Sequence, residues 1–108
     1  VLSVYALASH PEYSTYSASQ AAAHSLSKGL RNELSAGGVK LINVFPGPIE
    51  DEWQQLLPPP KLAPETLARA VTNALREGTE DVYPGAVAEE LLARLRENPK
   101  EVERELTL

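Results

Sequence analysis

The sequence predicts an α/β fold built on a parallel sheet, and two patterns indicate it. Short apolar runs alternate along the chain with longer segments in which apolar residues recur every three or four positions. The best strand candidate, residues 39–45, is almost continuously apolar, which is typical of a strand covered on both faces. Such alternation implies parallel strands joined by right-handed crossovers. The predicted order is strand, helix, strand, helix, short strand, helix.

The first half of the chain contains a strand end and the longest helix. Residues 1–7 are mostly apolar and are interpreted as the end of a buried strand. A helix is predicted over about residues 14–36, and Gly37-Gly38 closes it. Its apolar residues recur every four positions and form one stripe, made of Ala22, Leu26, Leu30 and Leu34.

The strand at residues 39–45 ends at Pro46-Gly47-Pro48, and a long connection follows. Residues 49–61 contain Trp53 and a run of three prolines, and we interpret them as a loop or lid with a polyproline-like end. Two roles for Trp53 remain open, the wall of a substrate pocket and a packing anchor.

The last third of the sequence predicts three helices and one short strand. Pro64 suits the first turn of a helix that Gly78 ends, residues 81–84 form the short strand, and Asn98-Pro99 with Glu101 begins a final short helix. A helix is also predicted over residues 86–97. The apolar positions of the two longer helices are Leu67, Ala70, Val71, Ala74 and Leu75 in one, and Val87, Leu91, Leu92 and Leu95 in the other.

The amino-acid composition argues against several classes of function. Ten basic and fifteen acidic residues give a net charge of −5, which argues against nucleic acid as a partner. The absence of cysteine excludes disulfides and thiolate chemistry. No segment has the length and apolarity of a membrane span or a signal peptide. We expect a soluble cytoplasmic protein, with an N-terminus that lacks an initiating Met because of trimming or an incomplete record.

Three separated motifs then agree in spacing. Tyr16-Ser-Ala-Ser-Gln20-Ala-Ala lies in the first helix, Leu30-Arg31-Asn-Glu-Leu34 follows in the same helix, and a strand ends in Pro46-Gly47. Together these motifs resemble the C-terminal half of the short-chain dehydrogenases/reductases. In that family the tyrosine motif reads Tyr, three residues, Lys, so that Gln20 stands at the lysine position. Ser3, thirteen residues before Tyr16, stands where the family has its catalytic serine.

The resemblance implies a fold and its boundaries. Residues 1–108 would form a single partial Rossmann-like domain, the C-terminal portion of a doubly wound parallel sheet. The family's dinucleotide-binding half carries a glycine-rich loop at a helix N-terminus. No Gly-x-x-x-Gly-x-Gly pattern occurs in this sequence.

The resemblance also implies site residues. Tyr16 would be the general acid that protonates a carbonyl oxygen, Ser3 would orient that oxygen, and Gln20 would take the lysine's place near the nicotinamide ribose. A free tyrosine has a pKa near ~10, so the missing charge at Gln20 makes proton transfer harder near neutrality. Tyr16 and Gln20 would also contact the cofactor, and the turn would line the nicotinamide carboxamide through Pro46, Gly47, Pro48 and Ile49.

Two functions follow from these expectations. The first is an NAD- or NADP-dependent oxidoreductase acting on a small-molecule carbonyl or alcohol, with the chain alone inactive and without tight cofactor binding. The second is a non-catalytic scaffold or dimerisation module derived from the same family. In both, self-association through the Tyr16 helix is expected, since Ala21-Ala22-Ala23 allows close helix approach.

Other chemically suggestive residues favour ordinary structural roles. A packed or surface role is favoured for His24 over a catalytic one, because it lies two turns beyond Tyr16 in the same helix. An acidic cluster follows the second strand, at Glu50, Asp51 and Glu52. Without partner ligands it is interpreted as a solvated acidic loop and not as a metal site, so no metal is predicted.

Overall fold

The computed structural model describes residues 1–50 and 60–107 and has an α/β architecture with parallel strands. Helix α1 spans Ser14–Ala36, strand β1 Asn43–Val44, helix α2 Pro64–Glu77, strand β2 Asp81–Val82, helix α3 Ala86–Glu97 and helix α4 Pro99–Thr107. Two short 3₁₀ helices, Val4–Ala6 and Pro11–Tyr13, precede α1. The predicted fold class and helix order are confirmed. Trp53, Asp51 and Glu52 lie outside the described residues.

The sheet is small and parallel. β1 pairs with β2 in a register that places Asn43 opposite Asp81 and Val44 opposite Val82. The first residues of the chain extend it on the other side, because the Leu2 N–H donates to the Val44 carbonyl over 2.7 Å. The Val4 N–H likewise donates to the Pro46 carbonyl over 3.0 Å. Residues 1–4 therefore run beside β1, as a third strand would.

All three predicted strands are longer than the observed pairing, the last of them ending at Val82 and not at residue 84. Residues 1–7 do not continue as a strand, since the Ser3 carbonyl and hydroxyl oxygens accept from the Ala6 and Tyr5 N–H groups and turn the chain. Residues 39–42 do not pair either. The Val39 N–H donates to the Leu34 carbonyl at the end of α1, and its side chain is 52% exposed. Helix capping therefore takes the donor that a longer ladder would need.

The core lies where β1 ends. Phe45 is fully buried, Val4 and Ala88 pack with it, and Tyr83 stacks on it with ring centroids 5.2 Å apart. The residues of α3 that were predicted to face inward are only partly buried, namely Val87, Leu91, Leu92 and Leu95. The small Ala88 is fully buried instead. A small side chain lets the helix backbone approach the sheet closely.

Helix α1 packs on the sheet through polar and aromatic side chains. His24 meets Phe45 edge-on, with ring centroids 4.8 Å apart, and the Asn43 side-chain amide donates to the Ser27 hydroxyl. The apolar stripe faces elsewhere. Leu26 is 65% exposed and Leu30 is 37% exposed, so the stripe has no partner within the described residues.

The remaining helices begin and end at the predicted residues. α2 starts at Pro64 and ends at Gly78, whose φ of 74° is left-handed and suits glycine. Its Leu75, predicted to face inward, is 67% exposed, while Ala74 is buried. α4 is capped by the Asn98 side chain, which accepts from the Glu101 N–H. No helix within the described part of the chain is long and apolar enough to cross a membrane.

Candidate active site

The predicted site residues gather where the parallel segments end. Ser3 closes the extended segment at the start of the chain, and Pro46-Gly47 follows β1. The 3.0 Å hydrogen bond from Val4 to Pro46 holds these two ends side by side. Ligands of open α/β sheets bind at this carboxyl edge of the strands.

Ser3 is held in a defined hydrogen-bonding state. The residue is 7% exposed, and its hydroxyl oxygen accepts from the Tyr5 N–H at 3.1 Å. A hydroxyl group has one donor and two acceptor lone pairs, so the Ser3 O–H can still donate. The side chain is therefore fixed by one bond and retains a hydrogen for an incoming oxygen.

Tyr16 lies in the first turn of α1 and is 47% exposed. Its ring meets Tyr5 edge-to-face, with centroids 6.4 Å apart and planes at 87°. The Tyr5 N–H also donates to the Ser3 hydroxyl oxygen, so Tyr5 contacts both the predicted acid Tyr16 and the predicted orienting serine Ser3. Ser3 and Tyr16 thus share Tyr5 as a neighbour, Ser3 through the Tyr5 backbone and Tyr16 through the Tyr5 ring.

Gln20 lies one helical turn after Tyr16 and is partly buried. Its side-chain carbonyl oxygen is buried, and no group in the described residues donates to it. A buried acceptor without a donor is costly, so a hydrogen-bond donor that reached this oxygen would offset that cost. As an amide, the side chain carries no charge.

The turn after β1 is rigid. A Cβ atom at Gly47 would lie 3.0 Å from the Val87 side chain, a tight contact that Val87 could relieve only by shifting. Ile49 bridges to Leu62, the Leu62 N–H donates to the Pro48 carbonyl at 2.7 Å, and Pro46 is buried. The carbonyls of Pro46 and Pro48 are therefore already engaged within the fold.

Comparison with known proteins decides the family. The family model described as short chain dehydrogenase matches residues 1–61, more than half of the chain. This chain belongs to the short-chain dehydrogenase family.

Relatives agree with that assignment. Uncharacterized oxidoreductases of Staphylococcus aureus strains USA300 and NCTC 8325 are 37% identical to the chain over 65 residues, 57% of its length. A crystal structure of a short chain dehydrogenase from Burkholderia cenocepacia J2315 in complex with NADP matches 99% of the chain, with a TM-score of 0.93 and 37% identity. The chain spans 28% of those S. aureus relatives and 45% of the B. cenocepacia protein.

Sequence reasoning missed an aromatic group beside the short-chain dehydrogenase tyrosine. Tyr5, His10, Tyr13 and Tyr16 lie with neighbouring ring centroids 5.0 to 6.4 Å apart, and we call them the aromatic cluster. Burial raises the pKa of Tyr5, and the neighbouring Tyr13, Tyr16 and Glu12 raise it further. Tyr13 and Tyr16, three residues apart at a helix start, were the available signal.

Ser17 was also missed, although it adjoins Tyr16. It is 2% exposed, and its hydroxyl oxygen accepts from the His10 N–H at 3.1 Å. The bond fixes the loop before α1 to the helix itself. A serine in a helix interior gives no indication of a contact seven residues back, so only the folded chain could identify it.

His24 is packed rather than placed at the site. Its ring lies edge-on against Phe45, which agrees with the structural role favoured from the sequence. Burial lowers the pKa of His24, and the charges of Lys28 and Arg31 lower it further, while Asp81 raises it. A neutral ring is therefore favoured at this contact between α1 and the sheet.

Proposed function

We propose that this chain carries the substrate and nicotinamide side of an NADP-dependent oxidoreductase that interconverts a carbonyl compound and its alcohol. The observation that carries the proposal is the contact of Tyr5 with both Ser3 and Tyr16, at the carboxyl edge of the parallel strands. Membership of the short-chain dehydrogenase family and the likeness to an NADP-bound member support it.

The residues present fit the nicotinamide half of the cofactor. The buried, unpartnered oxygen of Gln20 is placed to accept from a ribose hydroxyl, one turn from Tyr16. The rigid turn from Pro46 to Ile49 would line the nicotinamide ring from the other side. When bound, the reduced cofactor supplies a hydride to the carbonyl carbon.

The protein's own part is proton transfer. Tyr16 gives its hydroxyl proton to the carbonyl oxygen as negative charge develops there, and Ser3 donates a hydrogen bond to the same oxygen. Since Ser3 is fixed by the Tyr5 N–H, it orients the substrate without rearranging. Gln20 holds a hydroxyl but supplies no positive charge to stabilise the phenolate that Tyr16 becomes.

A non-catalytic scaffold is the second candidate, and the missing charge at Gln20 favours it. Under both candidates we propose self-association through α1. Its stripe of Ala22, Leu26 and Leu30 is exposed, and a wide groove of about 550 Å³ at Gly29 lies along the same face. We also propose that residues 1–108 act as one partial Rossmann-like domain.

Calorimetric titration with NADPH and with reduced nicotinamide mononucleotide tests the oxidoreductase proposal. If the chain contributes the nicotinamide half of the site, the two ligands should bind with similar, weak affinity. A Gln20→Ala variant, which loses the acceptor, should bind both more weakly, whereas Lys100→Ala on α4 should not change either affinity.

Two results would count against the proposal. Failure of the mononucleotide to bind would leave the scaffold as the better candidate. Much tighter binding of NADPH than of the mononucleotide would show that this chain also holds the rest of the cofactor, contrary to the half-site assignment.

A further inference from the structure

The aromatic cluster is arranged around one central ring. Tyr5 stacks on Tyr13 with centroids 6.1 Å apart and planes at 19°, meets Tyr16 edge-to-face and lies 5.2 Å from His10. His10 also lies 5.0 Å from Tyr13. Offset-stacked and edge-to-face geometries are the favoured ones for aromatic pairs.

Hydrogen bonds hold the segment that carries the aromatic cluster. The Ser3 hydroxyl accepts from the Tyr5 N–H, and the Ser17 hydroxyl accepts from the His10 N–H. The His10 ring nitrogen Nδ1 accepts from the Glu12 N–H at 3.2 Å. These bonds fix the backbone at Tyr5 and His10 and the ring of His10 before any ligand arrives, which lowers the entropy cost of binding.

Aromatic surface nevertheless remains open. Tyr13 is 39% exposed and Tyr16 is 47% exposed, while Tyr5 and His10 are partly covered. Tyr13 is the N-cap residue of α1 but its side chain makes no capping bond, so its ring is not needed to begin the helix. Its ring contacts Tyr5, which also contacts Tyr16, and an exposed ring in that position is suited to contact a substrate.

We propose, resting on the proposed function, that the aromatic cluster makes the site prefer carbonyl compounds whose carbonyl carbon carries an aromatic ring. A substrate oxygen bound by Ser3 and Tyr16 brings the group attached to its carbon beside Tyr5 and Tyr13. A flat ring there gains stacked or edge contacts that a saturated ring of the same size does not make. The raised pKa of Tyr5 keeps that phenol neutral beside the substrate.

A pair of ketones matched in size tests this selection. Acetophenone and cyclohexyl methyl ketone differ mainly in the aromaticity of the ring, and NMR titration of the chain's tyrosine signals gives both affinities. We expect acetophenone to bind about two- to tenfold more tightly, the range that one aromatic pair supplies.

Two variants assign the preference to the ring. Tyr13→Leu should reduce it to less than about twofold, because leucine keeps apolar contact without a π-face. Tyr13→Phe keeps the ring without the hydroxyl and should retain it. Since Tyr13 is exposed and makes no cap, both variants should keep the circular dichroism of the unmodified chain.

The outcomes separate this inference from the function on which it rests. Equal binding of the two ketones, or a preference that survives in Tyr13→Leu, overturns aromatic selection while carbonyl binding stands. Binding of neither ketone overturns both proposals. Aromatic preference without binding of reduced nicotinamide mononucleotide also overturns it, since the rings would then form a surface patch and not a substrate site.

Discussion

Gln20 stands at the position where the resemblance implies a lysine. It lies one turn beyond Tyr16, so its side chain reaches the same end of the helix face. No group in the described residues donates to its carbonyl oxygen, and under the proposed function this oxygen would accept from a ribose hydroxyl. An amide carries no charge, so it would not stabilise a phenolate at Tyr16.

Restoring the charge should restore rate. A unit charge about 6 Å from a developing phenolate at the protein surface contributes roughly 1–3 kcal/mol, so Gln20→Lys in the full-length protein should accelerate NADPH-dependent ketone reduction about tenfold or more near pH 7. Single-turnover absorbance of NADPH measures this, and Gln20→Met serves as an uncharged control of similar length.

Three possible results would lead to different conclusions about Tyr16 and Gln20. A gain that Tyr16→Phe removes would assign proton transfer to Tyr16. No gain in Gln20→Lys would show that this position does not act as the family lysine. An equal gain in Gln20→Met would mean that shape, and not charge, limits the reaction.

At the scale of elements, α1 is attached to the sheet by directional bonds. Arg31 donates to the carbonyls of Leu41 and Glu80 and pairs with the Asp81 carboxylate at 3.2 Å. One guanidinium thereby joins the middle of α1 to the starts of both strands. Because these acceptors lie at fixed positions, the bonds set the rotation of the helix and direct its apolar stripe outward.

The His24–Phe45 contact makes this attachment sensitive to pH. The folded state favours neutral His24, whose pKa lies below the ordinary value of 6.5, chiefly because of burial and then because of Lys28. The stabilisation is therefore complete above about pH 6.5 and declines as the pH falls below it. Urea unfolding at pH 7.5 and 5.5 should show a lower midpoint at pH 5.5.

Variants separate His24 from the other histidine. His24→Leu keeps an apolar contact with Phe45 and should remove most of the difference between the two pH values. His10→Gln, in the loop before α1, should retain it. If both variants lose stability between pH 7.5 and 5.5 as the unmodified chain does, carboxylates and not His24 are responsible.

At the scale of the molecule, the stripe on α1 is an apolar surface that the rest of the described chain leaves exposed at Leu26 and Leu30. If self-association covers it, a charge in the stripe should separate the copies. Leu26→Glu should convert a dimer to a monomer in sedimentation analysis, because burying an unpaired carboxylate in an interface is costly. Leu75→Glu on α2 is the matched control, since Leu26 is 65% and Leu75 67% exposed.

Two further results define the limits of that prediction. A monomer in the unmodified chain at high concentration would contradict self-association through α1. Dissociation of both variants alike would point to a different interface, or to a general effect of added negative charge on a chain of net charge −5.

Local sequence patterns predicted the bounds of the helices. The bounds of α1 follow from its periodicity and from Gly37, and α2 begins and ends at the proline and glycine that suit those positions. The strand lengths could not be predicted from the same patterns, because the apolar residues at 39–42 do not reveal where hydrogen bonding to a neighbouring strand begins. Only the pairing of Asn43 with Asp81 decides that.

The sequence by itself indicated the family, because its motifs resemble those of the short-chain dehydrogenases, and that resemblance implied the candidate site residues Ser3, Tyr16, Gln20 and Pro46-Gly47. Tertiary structure decided which face of α1 meets the sheet, and it put Tyr5 in contact with both Ser3 and Tyr16. The physical reason is the range of the interactions. Spacing along one helix or strand records local geometry, whereas the Arg31 bonds and the aromatic contacts join residues whose proximity exists only after folding.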